Sequence, residues 1–258
     1  MLEKELRLAI EKGRRAMEAR TTTLPHFETS DPRSPECRCS DASICPANGW
    51  LRIEGGLIRC RTWTRHKDQA QLQTALARSG LGPRLRTFTL GSFVENEGNA
   101  KAMRACRSFA TAFPDTSGLA LVGPVGTGKT HLAAAIANEL LSHGHRPVFV
   151  TGPDLMADLR RAIDNPRSNP DDIVDRLAES DLVILDDIGA ERPSPFVEER
   201  LYRLVNRLSN KLAPIVLTSN LSPNDLRDHM GARIVSRLMA MVSWHRVQGP
   251  DRRTQPAA

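Results

Sequence analysis

From about residue 98 the chain alternates between two hydrophobic periods. Continuous or near-continuous apolar runs of strand length occur at 118–122 (GLALV), 148–150 (VFV), 181–185 (DLVIL) and 214–218 (PIVLT). Strands covered on both faces read this way. Between them lie segments with helical spacing, at 100–113, 131–141, 154–163 and 195–209. In the last of these Leu201, Leu204, Val205 and Leu208 share one face. Gly144 is placed to end the second helix. Ser222-Pro223 puts a serine at the N-cap and a proline at the first position of a further helix. The alternation predicts a parallel sheet flanked by helices on both faces, an α/β fold.

The first third reads differently. Residues 2–19 suggest an amphipathic helix, with Leu2, Leu6, Leu8, Ile10 and Met17 among charges. Residues 21–48 are rich in Thr, Ser, Pro and Asp and predict irregular chain. A short β-like stretch follows at 50–58, then a helix at 67–79 with Leu72, Leu76 and Ala77 on one side. Gly80, Gly82 and Pro83 break that pattern. The expected division is a small, basic, Cys-containing N-terminal domain at 1–82 and an α/β domain at 83–258. Neither an internal repeat nor a low-complexity tract is visible.

Composition adds charge to this division. Residues 1–90 carry 16 Lys/Arg against 10 Asp/Glu, and the remainder 20 against 20, so the whole net charge of +6 lies N-terminal. Electrostatic attraction to nucleic acid is expected there first. Aromatics are 4% of the chain, with Tyr202 the single tyrosine, so no stacking platform for single strands stands out. No segment has the length of a membrane span, and the first residues lack the apolar core of a secretory signal. The expected location is cytoplasmic, where the five cysteines would be thiols or metal ligands.

The sharpest chemical signal is Gly123-Pro124-Val125-Gly126-Thr127-Gly128-Lys129-Thr130. It fits G-x-x-x-x-G-K-[ST], and it stands between a buried-strand run and a helix, the arrangement that loop requires. Glycines let successive backbone N–H groups turn inward around phosphate oxygens. The lysine reaches the β- and γ-phosphates, and the threonine hydroxyl ligates Mg²⁺. A second signal is Asp186-Asp187, an acidic pair at the end of a buried strand, which is costly unless a cation or water faces it. Asp186 fits a Mg²⁺ ligand, and Asp187 the group that orients or deprotonates attacking water. A third is Asn220, after the apolar run 214–218. In a parallel sheet the strand ends share one edge, where its amide can reach the γ-phosphate or the water.

These motifs carry a resemblance. GPVGTGKTHLAAAIANEL (123–140), LVILDDIGAER (182–192) and VLTSNLS (216–222) resemble AAA+ P-loop ATPases of the DnaC/DnaI helicase-loader and IstB transposition-helper group, over about 84–253. The resemblance implies Walker A residues Lys129 and Thr130, with His131 beside them. His131 is counted with them as a nucleotide-binding residue. The resemblance also implies Walker B residues Asp186 and Asp187, and sensor 1 at Asn220. Asp187 stands where many AAA+ proteins have Glu; the shorter side chain implies slow hydrolysis, a switch more than a motor. The segment 231–238 resembles the arginine-finger box, with Arg237 favoured over Arg233 to act across a subunit boundary. Arg253, ahead of Arg252, is the sensor-2 candidate.

Cys37, Cys39, Cys45 and Cys60 fall close together and could close a tetrahedral Zn²⁺ site, with His26 and His66 as spare ligands. Their spacing departs from paired C-x-x-C, so unliganded thiols are the alternative. Cys106, alone in a helical segment, is expected to be a buried thiol.

The functional expectation is an ATP·Mg²⁺-dependent loader of a hexameric replicative helicase onto single-stranded DNA, assembling through its ATP site. Two alternatives stand beside it: an IstB-like transposition helper, and an interaction module that holds ATP without hydrolysing it.

Overall fold

The computed structural model describes residues 50–53, 56–59, 61–165 and 167–252, with side chains from residue 68. The segments at 2–19 and 21–48 lie outside the described residues. The chain divides into two compact units, residues 1–70 and 71–258, the division falling within one helix. In the first unit the β-like stretch is a hairpin of two short strands, β1 (Trp50–Ile53) and β2 (Gly56–Arg59). They pair antiparallel, Trp50 opposite Arg59. Helix α1 (Arg61–Arg78) follows.

The second unit alternates as the hydrophobic pattern predicts. After a 3-10 turn at Leu85–Thr87 come α2 (Ala100–Ala112), β3 (Gly118–Val122), α3 (Lys129–Ser142) and β4 (Pro147–Thr151). Next are α4 (Gly152–Asp164), α5 (Pro170–Ala178), β5 (Leu182–Asp186) and α6 (Pro195–Asn210). The unit closes with β6 (Ile215–Ser219), α7 (Pro223–Met230), α8 (Ala232–Met241) and β7 (Val242–Arg246). Five parallel strands lie in the order β4-β5-β6-β3-β7.

Each central strand feeds two cores. Leu119 and Leu121 of β3, Leu182 and Ile184 of β5, and Val216 of β6 pack with α2 and α3 on one face. Ala120, Val183, Leu185, Ile215 and Leu217 pack with α4 to α8 on the other. Side chains alternate along a strand, so a strand buried on both faces must be apolar at every position. Helix α3 is buried through the whole run 132–137, and its Ala133-Ala134-Ala135 belongs to the first core. Cys106 of α2 is fully buried there, and burial pushes its thiol up to about 12.

Local signals set several helix ends. Thr151, Asn169, Ser194 and Ser222 cap α4, α5, α6 and α7, each accepting from a backbone N–H of the first turn, and each helix has proline in that turn. Ser222 forms a reciprocal capping box with Asp225. Gly144 (φ 83°) ends α3 as expected: His145 N–H donates to Leu140 O at 3.0 Å and Gly144 N–H to Leu141 O at 3.1 Å.

The same double bond closes α6 without glycine. Ala213 N–H donates to Leu208 O (3.0 Å) and Leu212 N–H to Ser209 O (3.1 Å), with Leu212 held at φ 53° and 90% exposed. A leucine there bears the left-handed penalty and returns no burial. Leu212→Gly is therefore expected to stabilise the protein by about 1 kcal/mol. Urea unfolding of the two proteins measures the difference.

Candidate nucleotide site

The strand order decides what meets at the sheet's C-terminal edge. Because β6 inserts between β5 and β3, the ends of all three are neighbours. Val122 lies opposite Ser219, and Gly123 N–H donates to Ser219 O at 3.2 Å. The loop 123–128, the acidic pair after β5 and the polar end of β6 thus share one edge.

Three loop glycines adopt positive φ: Gly123 (151°), Gly126 (78°) and Gly128 (99°). Each is also closely approached. A Cβ on Gly123 would lie 2.1 Å from the Val247 carbonyl oxygen; on Gly126, 1.9 Å from the Asp251 carboxylate; on Gly128, 2.7 Å from the Phe93 ring. Pro124 O accepts from Thr127 Oγ1 at 2.9 Å, which ties the turn together. Val125 at its tip is more than half exposed. Lys129, at the start of α3, is buried and donates through Nζ to Gly123 O (2.8 Å) and Pro124 O (2.7 Å).

Thr130 Oγ1 lies 3.1 and 3.0 Å from the two carboxylate oxygens of Asp186 and donates to them. Thr218 Oγ1 donates to Asp186 Oδ1 at 2.6 Å and accepts from the Asp187 N–H at 2.9 Å. Asp187 is held at φ 55°, and its Oδ1 accepts from Asn220 Nδ2 at 2.7 Å. Asp186 is only 5% exposed. Burial pushes its carboxyl above the ordinary carboxylate range, the neighbouring Asp187 charge adding to this; donors from Thr218 and Thr130 and the Lys129 charge oppose it. A buried carboxylate beside a threonine hydroxyl is a hard oxygen pair that suits Mg²⁺, and the glycine cradle suits phosphate. When bound, Mg²⁺ supplies charge neutralisation for phosphate oxygens.

His131 lies elsewhere. One residue along a helix turns the side chain by about a quarter of a turn or more, so it leaves the direction of Thr130. Its ring stacks on Phe88 (4.3 Å between centroids) and meets the Phe93 edge at 5.3 Å. His131 Nε2 bonds to Thr89 O at 3.0 Å, and burial lowers the ring's basicity. It anchors segment 88–93, whose Phe93 borders the loop. Arg252 joins this wall. Its backbone N–H donates to Gly126 O at 3.0 Å, its guanidinium sits 4.2 Å over the Phe93 ring, and its Nη2 donates to Val94 O.

Arg237 packs instead on α6: Nη2 donates to Tyr202 OH at 3.2 Å and the guanidinium lies 5.3 Å from that ring. Arg233 is exposed on α8. Arg253 lies outside the described residues, and so do Cys37, Cys39, Cys45 and Cys60, the zinc candidates. Among the described residues no group of three or more His, Cys, Asp or Glu side chains could hold a metal ion. None of their helices is long and apolar enough to cross a membrane.

Residues 85–244 match the family described as the bacterial DnaA ATPase domain. The chain belongs to this family. It is 31% identical to the uncharacterized protein YdaV of Escherichia coli (strain K12) over 189 residues, 72% of this chain and 76% of that one. To the replicative helicase loader DnaC of the same strain it is 28% identical over 187 residues, with the same coverage. The crystal structure of the DnaC helicase loader superposes with a TM-score of 0.59 at 26% identity, covering 65% of this chain and all of that one. The AAA+ architecture expected from the motifs is thus the one found.

Thr218 is the site residue that sequence reading passed over. Its signal was a hydroxyl in an otherwise apolar buried strand. For Asp186 the sign of its shift gives a test. A raised carboxyl lowers folded stability as pH rises from the unfolded group's ordinary value through the folded one. Without metal or nucleotide, Asp186→Asn should therefore melt above the native protein, with a gap that widens as pH climbs through that window. Thermal unfolding from pH 4 to 8 in chelator measures it.

Proposed function

We propose that this chain is an ATP-dependent loader of a replicative DNA helicase. The observation that carries the proposal is the convergence of Lys129, Thr130, Asp186, Asp187 and Asn220 at one edge of the sheet. It occurs in a chain that shares about three quarters of its relatives' length with a protein named as a helicase loader.

In this reading loop 123–128 cradles the triphosphate with backbone N–H groups, and Lys129 leaves its own loop carbonyls for phosphate oxygens. Thr130 and Asp186 hold Mg²⁺. Asp187 and Asn220, already bonded at 2.7 Å, orient the attacking water. Aspartate places its carboxylate one methylene closer to the backbone than glutamate would, so water is held less well and turnover is slow. Arg252 and Phe93 wall the site from the tail side.

Arg237 would act in trans. Its contacts lie on α6, not on the loop, so completing a neighbour's site requires it to leave Tyr202. That makes hydrolysis depend on assembly. The basic first third would engage the hexameric helicase, and the assembled ATPase units single-stranded DNA.

Two measurements test this. Mixed with its host's replicative helicase and ATP, the protein should co-elute with it in size exclusion, and absence of a complex overturns the loader assignment. Lys129→Ala should keep the fold, weaken ATP binding at least tenfold and abolish turnover, checked by calorimetry and phosphate release. Equal ATP binding by the variant overturns the role given to Lys129. ATP binding without turnover in the native protein, with DNA and helicase present, leaves only the interaction module.

A further inference from the structure

Strand β6 is apolar through Ile215, Val216 and Leu217, each fully buried. Thr218 continues it and is 1% exposed. Valine has the same shape, suits a strand at least as well and carries no polar group into the interior. The hydroxyl therefore needs a reason, and both of its partners are acidic residues of the nucleotide site. An ionised carboxylate can only accept and a backbone N–H can only donate, so the roles are fixed. The Thr218 proton goes to Asp186 Oδ1 (2.6 Å), and a lone pair takes the Asp187 N–H (2.9 Å). The Thr218 carbonyl also accepts from Ile188 N–H at 2.9 Å, so one residue spans 186–188.

Both held residues need holding. Asp187 sits at φ 55°, in the left-handed region that aspartate enters more readily than most residues but less readily than glycine. Asp186 must keep an ionised carboxylate aimed correctly although burial opposes its charge. Thr130 supplies the other donor to it. Thr218 lies near the end of β6 and Asn220 directly follows the strand. The first fixes the Asp187 backbone and the second its carboxylate. One strand end thereby sets the position of both acidic groups relative to each other.

We infer that Thr218 is a positioning residue for ATP hydrolysis, whose single hydroxyl fixes the Asp186 carboxylate and the Asp187 backbone in one geometry. The inference rests on the ATPase reading of this site. Both bonds of the Thr218 hydroxyl go to Asp186 and Asp187, and none to the loop or Lys129, so its loss should act on turnover and leave phosphate binding largely intact.

The test compares the native full-length protein with Thr218→Val, Thr218→Ala and Thr218→Ser, with Lys129→Ala as the control for background. Steady-state phosphate release with single-stranded DNA and the host helicase present gives kcat, calorimetric titration of ADP without Mg²⁺ gives affinity, and thermal unfolding reports folding. Both variants without the hydroxyl should lose kcat by about 10–100-fold, the usual scale for groups that orient a ligating carboxylate. ADP affinity should stay within about threefold, and Thr218→Ser should return kcat to within about threefold of native. Thr218→Ala adds no bulk and serves if Thr218→Val fails to fold. The inference is overturned if a folded variant without the hydroxyl turns over within twofold of native, if ADP affinity falls as far as kcat, or if serine does not rescue. A native protein no faster than Lys129→Ala overturns the ATPase reading instead, which keeps the two failures apart.

Discussion

Keeping a carboxylate ionised inside a protein costs several kcal/mol unless donors or a cation face it. Asp186 is in that position, and the arrangement of the sheet edge follows from it. Two hydroxyls reach it, Thr130 from the first turn of α3 and Thr218 from the end of β6. Thr218 can do so because β6 is threaded between β3 and β5. The parallel order is thus more than a way to bury apolar strands: it brings three sequence-distant segments to one charge. Two neutral donors do not replace the solvation lost, which is why burial still pushes the group upward.

Much of this was legible in the sequence because the determinants are local. Strands covered on two faces must be apolar at consecutive positions, so 118–122, 181–185 and 214–218 stood out. The loop glycines, Gly144 and Ser222-Pro223 act through their own backbone geometry and need no tertiary context. What was missed depends on context. Helix α5 follows a Pro/Ser/Asn stretch and offers only Val174, Leu177 and Ala178 as a buried face. Strand β7 (VSWHR) pairs on one side only, at the sheet edge, so its pattern is mixed. Thr218 looked like the end of an apolar run because its partners come from another strand. His131 was drawn to the site by adjacency to Thr130, whereas helical rotation carries it to segment 88–93.

The phosphate loop is also a meeting point. Its three positive-φ glycines face Val247, Asp251 and Phe93, none of which belongs to the motif. Glycine here therefore answers two demands at once: a backbone turned toward an anion, and two outside segments packed directly against it. The tail is bonded to both sides of this contact, through Val247 N–H to Val122 O (2.8 Å), Arg252 N–H to Gly126 O (3.0 Å) and Gln248 N–H to Gly98 O (3.0 Å). Arg252 then spans from the loop to Phe93 and Val94. Close-packed contacts of this kind have little slack, so a shift in one segment displaces the others. The segment behind Arg252 rests on His131, and His131 adjoins Thr130 on α3. Loop, tail and segment 88–98 therefore form a closed circuit of contacts around the phosphate cradle. The geometry of the cradle is set as much by residues some 30 positions upstream and 120 downstream as by the motif that first identified it.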